Sequence, residues 1–267
     1  MADGTGPVGP QGVRFRRRRP LRRRRRVRRP VLPEVARRRL APCEPANGTH
    51  VVLTGPAWGD LARSVPTEVL HQRQQAIAPC RWTVLDQVHG ADVVVVEQPG
   101  DHVGASADAA VTDRPDAALC VLTADCAGVA FYSEEGVLGV AHAGWRGLAA
   151  GVIQACVEVM RDCGARRIGW QLNACISAGA NEFSPPELES LVERLGPGVR
   201  SVTLDGRPAF DLRAGVGVAL AEAGLEVPAG SLRVPCTVLG GEWYSWRARR
   251  DTGRQATVVW RRSVVAP

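Results

Sequence analysis

Lysine is absent from this sequence: all 34 basic residues are arginine. Any cationic contact to a phosphate must therefore come from arginine, histidine, a metal or backbone N–H groups. Aromatic residues make up only 5%, with seven Trp against four Phe and two Tyr, and no function is drawn from that bias. No apolar run approaches the roughly 18 continuous residues of a membrane helix, which points to a soluble protein without membrane contact. No CxxC pair occurs, and the eight cysteines (43, 80, 120, 126, 156, 163, 175 and 236) are spaced too irregularly for a disulfide scaffold. They read as reduced thiols of a cytoplasmic protein, most of them small buried hydrophobes. Neither a GxGxxG loop nor a P-loop is present, and no internal repeat is evident.

Charge is also missing where the net value of +7 implies it. Fifteen arginines fall in residues 1–40, beside only Asp3 and Glu34. The remaining 19 arginines face 25 acids, so the body of the chain is acidic and the basic character sits in a tail. That tail, "RFRRRRPLRRRRRVRRPVLPEVARRRL", has no periodic apolar face to fold around. It lacks the continuous apolar stretch and small-residue cleavage site of a secretory signal. Residues 1–45 are expected to form a disordered Arg-rich leader, or to reflect a start site placed too far upstream, with residues 46–267 as the folded domain. Nucleic acid enters as a partner only if the leader is real.

What is there is a mixture of strands and helices. "THVVLTG" (49–55) reads as a strand, and residues 60–77 as a loosely helical stretch interrupted by Pro66. Residues 81–90 and 91–100 are β-rich, and a further strand is expected over 118–123. "GVAFYS" and "VLGVAHAG" predict a hairpin across Glu134–Gly136. Apolar residues at helical spacing mark 148–164, 185–196 and 211–224, the last capped by Asp211. Residues 167–177 return to strand character, and "CTVLG", "WYSWRARR" and "QATVVWRR" complete the chain as β-like segments. Strands cluster in hairpins instead of strict βαβ alternation, which indicates an α+β class with mixed sheets.

Three residues able to bind a soft metal stand at the polar ends of apolar runs: His89 in "QVHG", Cys126 in "TADC" and His142 in "AHAGWRG". Two imidazoles and a thiolate suit zinc, with a fourth position open to water or substrate. Separations of 37 and 16 residues mean that only the fold could unite them. Taken singly, each is more commonly a turn or core residue. The glycine-rich turn after His142 leads into a helix, whose N–H groups favour anions, and Arg146 there could clamp a phosphate or carboxylate. Asp125 is a candidate proton carrier or partner of the metal ligands, with strand-end capping as the plainer alternative.

The blocks "QVHGADVVVVE", "ADAAVTDRPDAALCVLTADC", "GVAHAGWRGLAAGVI" and the closing "CT", "WYSWR" and "TGRQAT" resemble the laccase-domain family, in order, from Val51 to Trp260. These are bacterial proteins once called multicopper polyphenol oxidases and now regarded as purine nucleoside phosphorylases with adenosine deaminase activity. The resemblance implies a single layered α/β/β/α domain acting as a monomer on a purine nucleoside and inorganic phosphate. It implies zinc at His89, Cys126 and His142, catalytic roles for Asp125 and Arg146, and substrate contacts from Gln87, Arg146, Tyr244 and Arg247. Phosphate would attack C1′ of the ribose as the purine leaves, and water would attack C6 in the deamination.

The sequence departs from the family pattern at the substrate walls. "GPAIGPCCYEV" is replaced by "NACISAGANEF" (173–183), with Gly179 and Ala180 where two cysteines are usual. "TTRxGG" is reduced to "LTGPAWGD", with Pro56 near the expected arginine. Three alternatives therefore stand beside the phosphorylase. One is a metal-binding paralogue that has lost catalysis. Another is a metal-free hydrolase using Cys126 as nucleophile. The third is a copper-dependent phenol oxidase with copper in place of zinc. Five histidines (50, 71, 89, 102 and 142) are too few for a multicopper cluster, which argues against the last.

Overall fold

The computed structural model describes residues 48–263. The leader proposed for residues 1–45 lies outside the described residues. In chain order the elements begin with β1 (Thr49–Leu53), α1 (Thr67–Ile77), β2 (Arg81–Val84), β3 (Val93–Val95), β4 (Ala109–Thr112) and β5 (Ala117–Thr123). The central part comprises β6 (Ala127–Ser133), β7 (Leu138–Ala143), α2 (Trp145–Ala150), α3 (Val152–Asp162) and β8 (Ile168–Leu172). Then come α4 (Pro185–Leu195), β9 (Arg200–Val202), β10 (Pro208–Phe210), α5 (Leu212–Glu222), α6 (Trp246–Arg249) and β11 (Gln255–Arg261).

Two mixed sheets carry the fold, one ordered β1-β11-β5-β2 and the other β3-β4-β7-β6-β8, with β9 and β10 forming a small ribbon. The pairs β2/β5 and β3/β4 are parallel; the others are antiparallel. The alternation of side chains along a strand explains how the sheets stack. In β5, Leu119 and Val121 enter a cluster shared with Val140 and Ala130 of the other sheet, while Ala118 and Cys120 face Ile77 and Trp82. In β6, Val129 and Phe131 turn away from that shared cluster to pack on Ile153, Val157 and Met160 of α3. The result is helix, sheet, sheet, helix: α1 covers one outer face and α2 to α5 cover the other. Because these strands are buried on both faces, their sequences read as continuous apolar runs.

The β6–β7 hairpin pairs Tyr132 with Leu138 and turns at Ser133–Val137 as its sequence predicts. Asp211 caps α5, accepting from the Arg213 and Ala214 N–H groups at 3.0 and 3.1 Å. Four expectations need correction. The helix expected over 148–164 is two helices, because Gly151 takes φ +88° and ends α2. Pro66 precedes α1 instead of interrupting it. "WYSWRARR" is not a strand: the Ser245 side chain accepts from the Ala248 N–H at 3.1 Å and starts the short helix α6. "CTVLG" also forms no strand, its Thr237 N–H reaching instead across to the Cys175 carbonyl at 3.4 Å.

Candidate metal centre

β6 and β7 lie side by side, and their register pairs Ala127 with Ala143 and Gly128 with His142. That register brings Cys126, one residue before β6, close to His142 near the end of β7. His89 reaches them from the loop after β2. The ligand atoms of His89, Cys126 and His142 all lie within 4.8 Å of one another. The two imidazoles meet edge to face, with centroids 4.8 Å apart.

Asp108, fully buried before β4, holds this arrangement. One carboxylate oxygen accepts from Nδ1 of His142 at 2.8 Å and from the His89 N–H at 2.9 Å. The other accepts from the Gly90 and Val88 N–H groups at 2.7 and 3.2 Å. With Nδ1 directed at Asp108, Nε2 is the His142 nitrogen left to face a metal, which would displace its proton on binding. Three successive N–H groups on one carboxylate also stabilise the loop that carries His89, whose φ of +61° is the left-handed region non-glycine residues seldom adopt. Burial would raise the Asp108 carboxyl, but the bonds from His142, Gly90 and His89 outweigh it and hold it below its ordinary range.

Burial would likewise push the Cys126 thiol up, yet His142 and His89 draw it down to about 6. His142 moves the other way, its burial opposed by Asp108 and Cys126, to about 9. The centre thus favours a thiolate, the form in which cysteine ligates a metal. Gly144 supplies the space: a Cβ there would stand 2.9 Å from His89 Nδ1 and 3.0 Å from Cys126 Sγ. Donor set, ring orientation and cradle all fit a zinc ion.

A second carboxylate fixes the other side. Asp125 takes φ +97°, and its two oxygens accept from the Thr237 hydroxyl and the Arg247 N–H, each at 2.6 Å. Both oxygens are therefore engaged in holding the turn into Cys126. Gln87 is committed too, its side-chain amide donating to the Leu122 carbonyl and accepting from the Leu122 N–H, each at 2.8 Å.

The three candidate ligands line a cleft of about 580 Å³, with Gln87, Arg63, Arg254 and Trp246 among its walls. A smaller cavity of about 170 Å³ shares His89, Cys126 and Trp246 and adds Asp125, Asn181 and Arg247. Arg146 lines neither cavity; it is exposed, with its guanidinium 4.3 Å from the centroid of the Trp145 ring. Tyr244 lines neither, and its backbone N–H donates to Gln255 Oε1 at 3.1 Å. Sequence reasoning missed Asp108, whose one signal was an acid among small apolar residues in "ADAAVTD". It also missed Gly144, Arg63 and Arg254.

The family model described as multi-copper polyphenol oxidoreductase laccase matches residues 50–262. The chain belongs to this family. It is 39% identical over 193 residues to a purine nucleoside phosphorylase of Streptomyces griseus, covering 70% of this chain and 77% of the relative. A purine nucleoside phosphorylase of Streptomyces coelicolor is 36% identical over 80% of this chain and 96% of its own. Among solved structures, a Neisseria meningitidis protein superposes with a TM-score of 0.68 at 25% identity, covering 84% of this chain and 99% of that one. YlmD from Geobacillus stearothermophilus also gives 0.68, at 26% identity over 81% of this chain and 93% of that one. At Gly179 a Cβ would meet Leu204 at 3.2 Å, and two exposed leucines, Leu204 and Leu239, border that position.

Proposed function

We propose that this protein is a zinc-dependent purine nucleoside phosphorylase that also deaminates adenosine, with the metal held by His89, Cys126 and His142. The observation that carries the reading is the convergence of these three donors, within 4.8 Å of one another, on the wall of a nucleoside-sized cleft. Relatives named purine nucleoside phosphorylase support the substrate class. Zinc bound there would supply a Lewis acid that polarises a phosphate or purine oxygen and lowers the pKa of water. Asp108 orients His142, and Asp125 holds the Cys126 turn. In a chain without lysine, Arg63 and Arg254 of the cleft and Arg247 of the smaller cavity are the cations for phosphate. Their task is to bring the phosphate dianion up to C1′ of the ribose while the purine departs.

The test is incubation of the metal-loaded protein with adenosine, inosine and methylthioadenosine, with and without phosphate. The expected products are phosphate-dependent free purine and, from adenosine, inosine. No free base and no inosine from any substrate would overturn the reading. A metal-binding paralogue without turnover is the second reading, favoured by how these arginines are already engaged. Arg63 pairs with Asp86, and Arg254 Nη1 donates to the carbonyls of Asp251, Thr252 and Gly253 at 2.8 to 3.0 Å. Stoichiometric zinc with no product would select it.

A further inference from the structure

Cys175 and Cys236 lie on neighbouring segments outside the His89–Cys126–His142 triad. The Cys175 N–H donates to the Pro235 carbonyl at 3.3 Å, and the Thr237 N–H donates to the Cys175 carbonyl at 3.4 Å. These two bonds, to the residues on either side of Cys236, bring the backbones of the two cysteines next to one another. The Ser177 hydroxyl, two residues beyond Cys175, reaches the Cys236 sulfur at 3.1 Å.

The two sulfurs differ in character. Cys236 is half-buried, and its sulfur accepts from the Ser177 hydroxyl and also from the N–H groups of Ser177 at 3.3 Å and Leu239 at 3.5 Å. Partial burial would raise this thiol, but the converging donors hold it below its ordinary value. The same donors stabilise the ionised sulfur, the form that reacts with small oxidants. Cys175 is buried, and burial pushes it up to about 12 despite the Arg213 guanidinium beside it. Arg213 Nη2 donates to the Cys175 carbonyl at 3.3 Å, while its buried Nε has no hydrogen-bond partner. That N–H is available to a sulfur that becomes negative.

We propose that Cys236 is a peroxide-reactive thiol and Cys175 its resolving partner, so that a hydroperoxide converts the pair into a disulfide. The Cys236 sulfur attacks one peroxide oxygen; an S–O bond forms, the O–O bond breaks, and hydroxide leaves and takes a proton to become water. The Cys175 sulfur then attacks the Cys236 sulfur, forming S–S and breaking S–O, and its thiol proton leaves with the hydroxide as a second water. Two thiols lose two electrons in all, and hydrogen peroxide is reduced to two waters. Thr237, next in the chain, holds the Asp125 carboxylate beside Cys126, so the link would form one residue from that clamp.

Full-length protein with zinc added, to shield Cys126, is treated with hydrogen peroxide and mapped by non-reducing peptide mass spectrometry. The expected result is a Cys175–Cys236 linked peptide that dithiothreitol dissolves. Cys236→Ser abolishes it, and Cys175→Ser leaves Cys236 trapped as a sulfenic acid that dimedone captures. Absence of the linked peptide in the wild-type chain overturns the proposal without reference to any variant. Failure of dimedone to label Cys236 in Cys175→Ser overturns the order of the two steps.

Discussion

Asp108 bears on both histidines at once, through the Nδ1 of His142 and through the N–H groups of the His89 loop. Replacing a residue that orients metal ligands typically lowers metal affinity about 10- to 100-fold. Asp108→Asn is therefore predicted to weaken zinc binding by that order, read by competition with a chromophoric chelator; an unchanged affinity would contradict the role. A second prediction concerns charge at Cys126. With its thiol drawn down to about 6, the thiolate fraction rises with pH through that value and is near complete by neutrality. In metal-stripped protein, iodoacetamide should modify Cys126 at pH 7 and progressively less as the pH falls below 6. Burial holds Cys120, Cys156 and Cys175 protonated at neutral pH, so they stay unmodified. Added zinc should protect Cys126, as measured by peptide mapping.

At the scale of elements, the metal centre depends on how closely the end of β7 passes His89 and Cys126. Gly144→Ala places a methyl 2.9 Å from His89 Nδ1 and 3.0 Å from Cys126 Sγ. Its predicted effect is loss of bound zinc with the far-ultraviolet circular dichroism retained. Asp211→Ala removes the cap of α5 at a cost of about 1 kcal/mol, a fall of about 2–4 °C in melting temperature for a domain of this size. The elements that were legible in the sequence are those whose local pattern agrees with their tertiary role. β5, β6, β7 and their hairpin are continuous apolar runs divided by a turn, α4 carries helical periodicity behind a proline in its first turn, and α5 carries its Asp211 cap. α6 was illegible because its four residues are set by a Ser245 cap and by the Asp125 bond to the Arg247 N–H, a partner 122 residues away. The three candidate ligands could be picked out because their residue types are chemically distinctive. Asp108 could not, since its partners lie 18 to 34 residues distant and its own neighbours are plain alanines.

For the whole molecule, the buried members of the three apolar clusters among the described residues lie between Leu61 and Trp260, and the family match spans 50–262. A chain beginning at residue 46 is accordingly predicted to melt at the same temperature as the full chain and to bind the same amount of zinc. Differential scanning calorimetry and metal analysis of the two would show it, and a lower melting temperature would assign the Arg-rich segment a structural part. Among the described residues no helix is long and apolar enough to cross a membrane.

The proposed function rests on one candidate metal centre assembled from three distant residues. Zinc quantified by mass spectrometry on purified wild-type protein and on Cys126→Ala tests it most directly. The prediction is one zinc per wild-type chain and almost none in the variant, with both proteins folded. Equal zinc in the two, or none in a wild-type protein purified with zinc present, would contradict it.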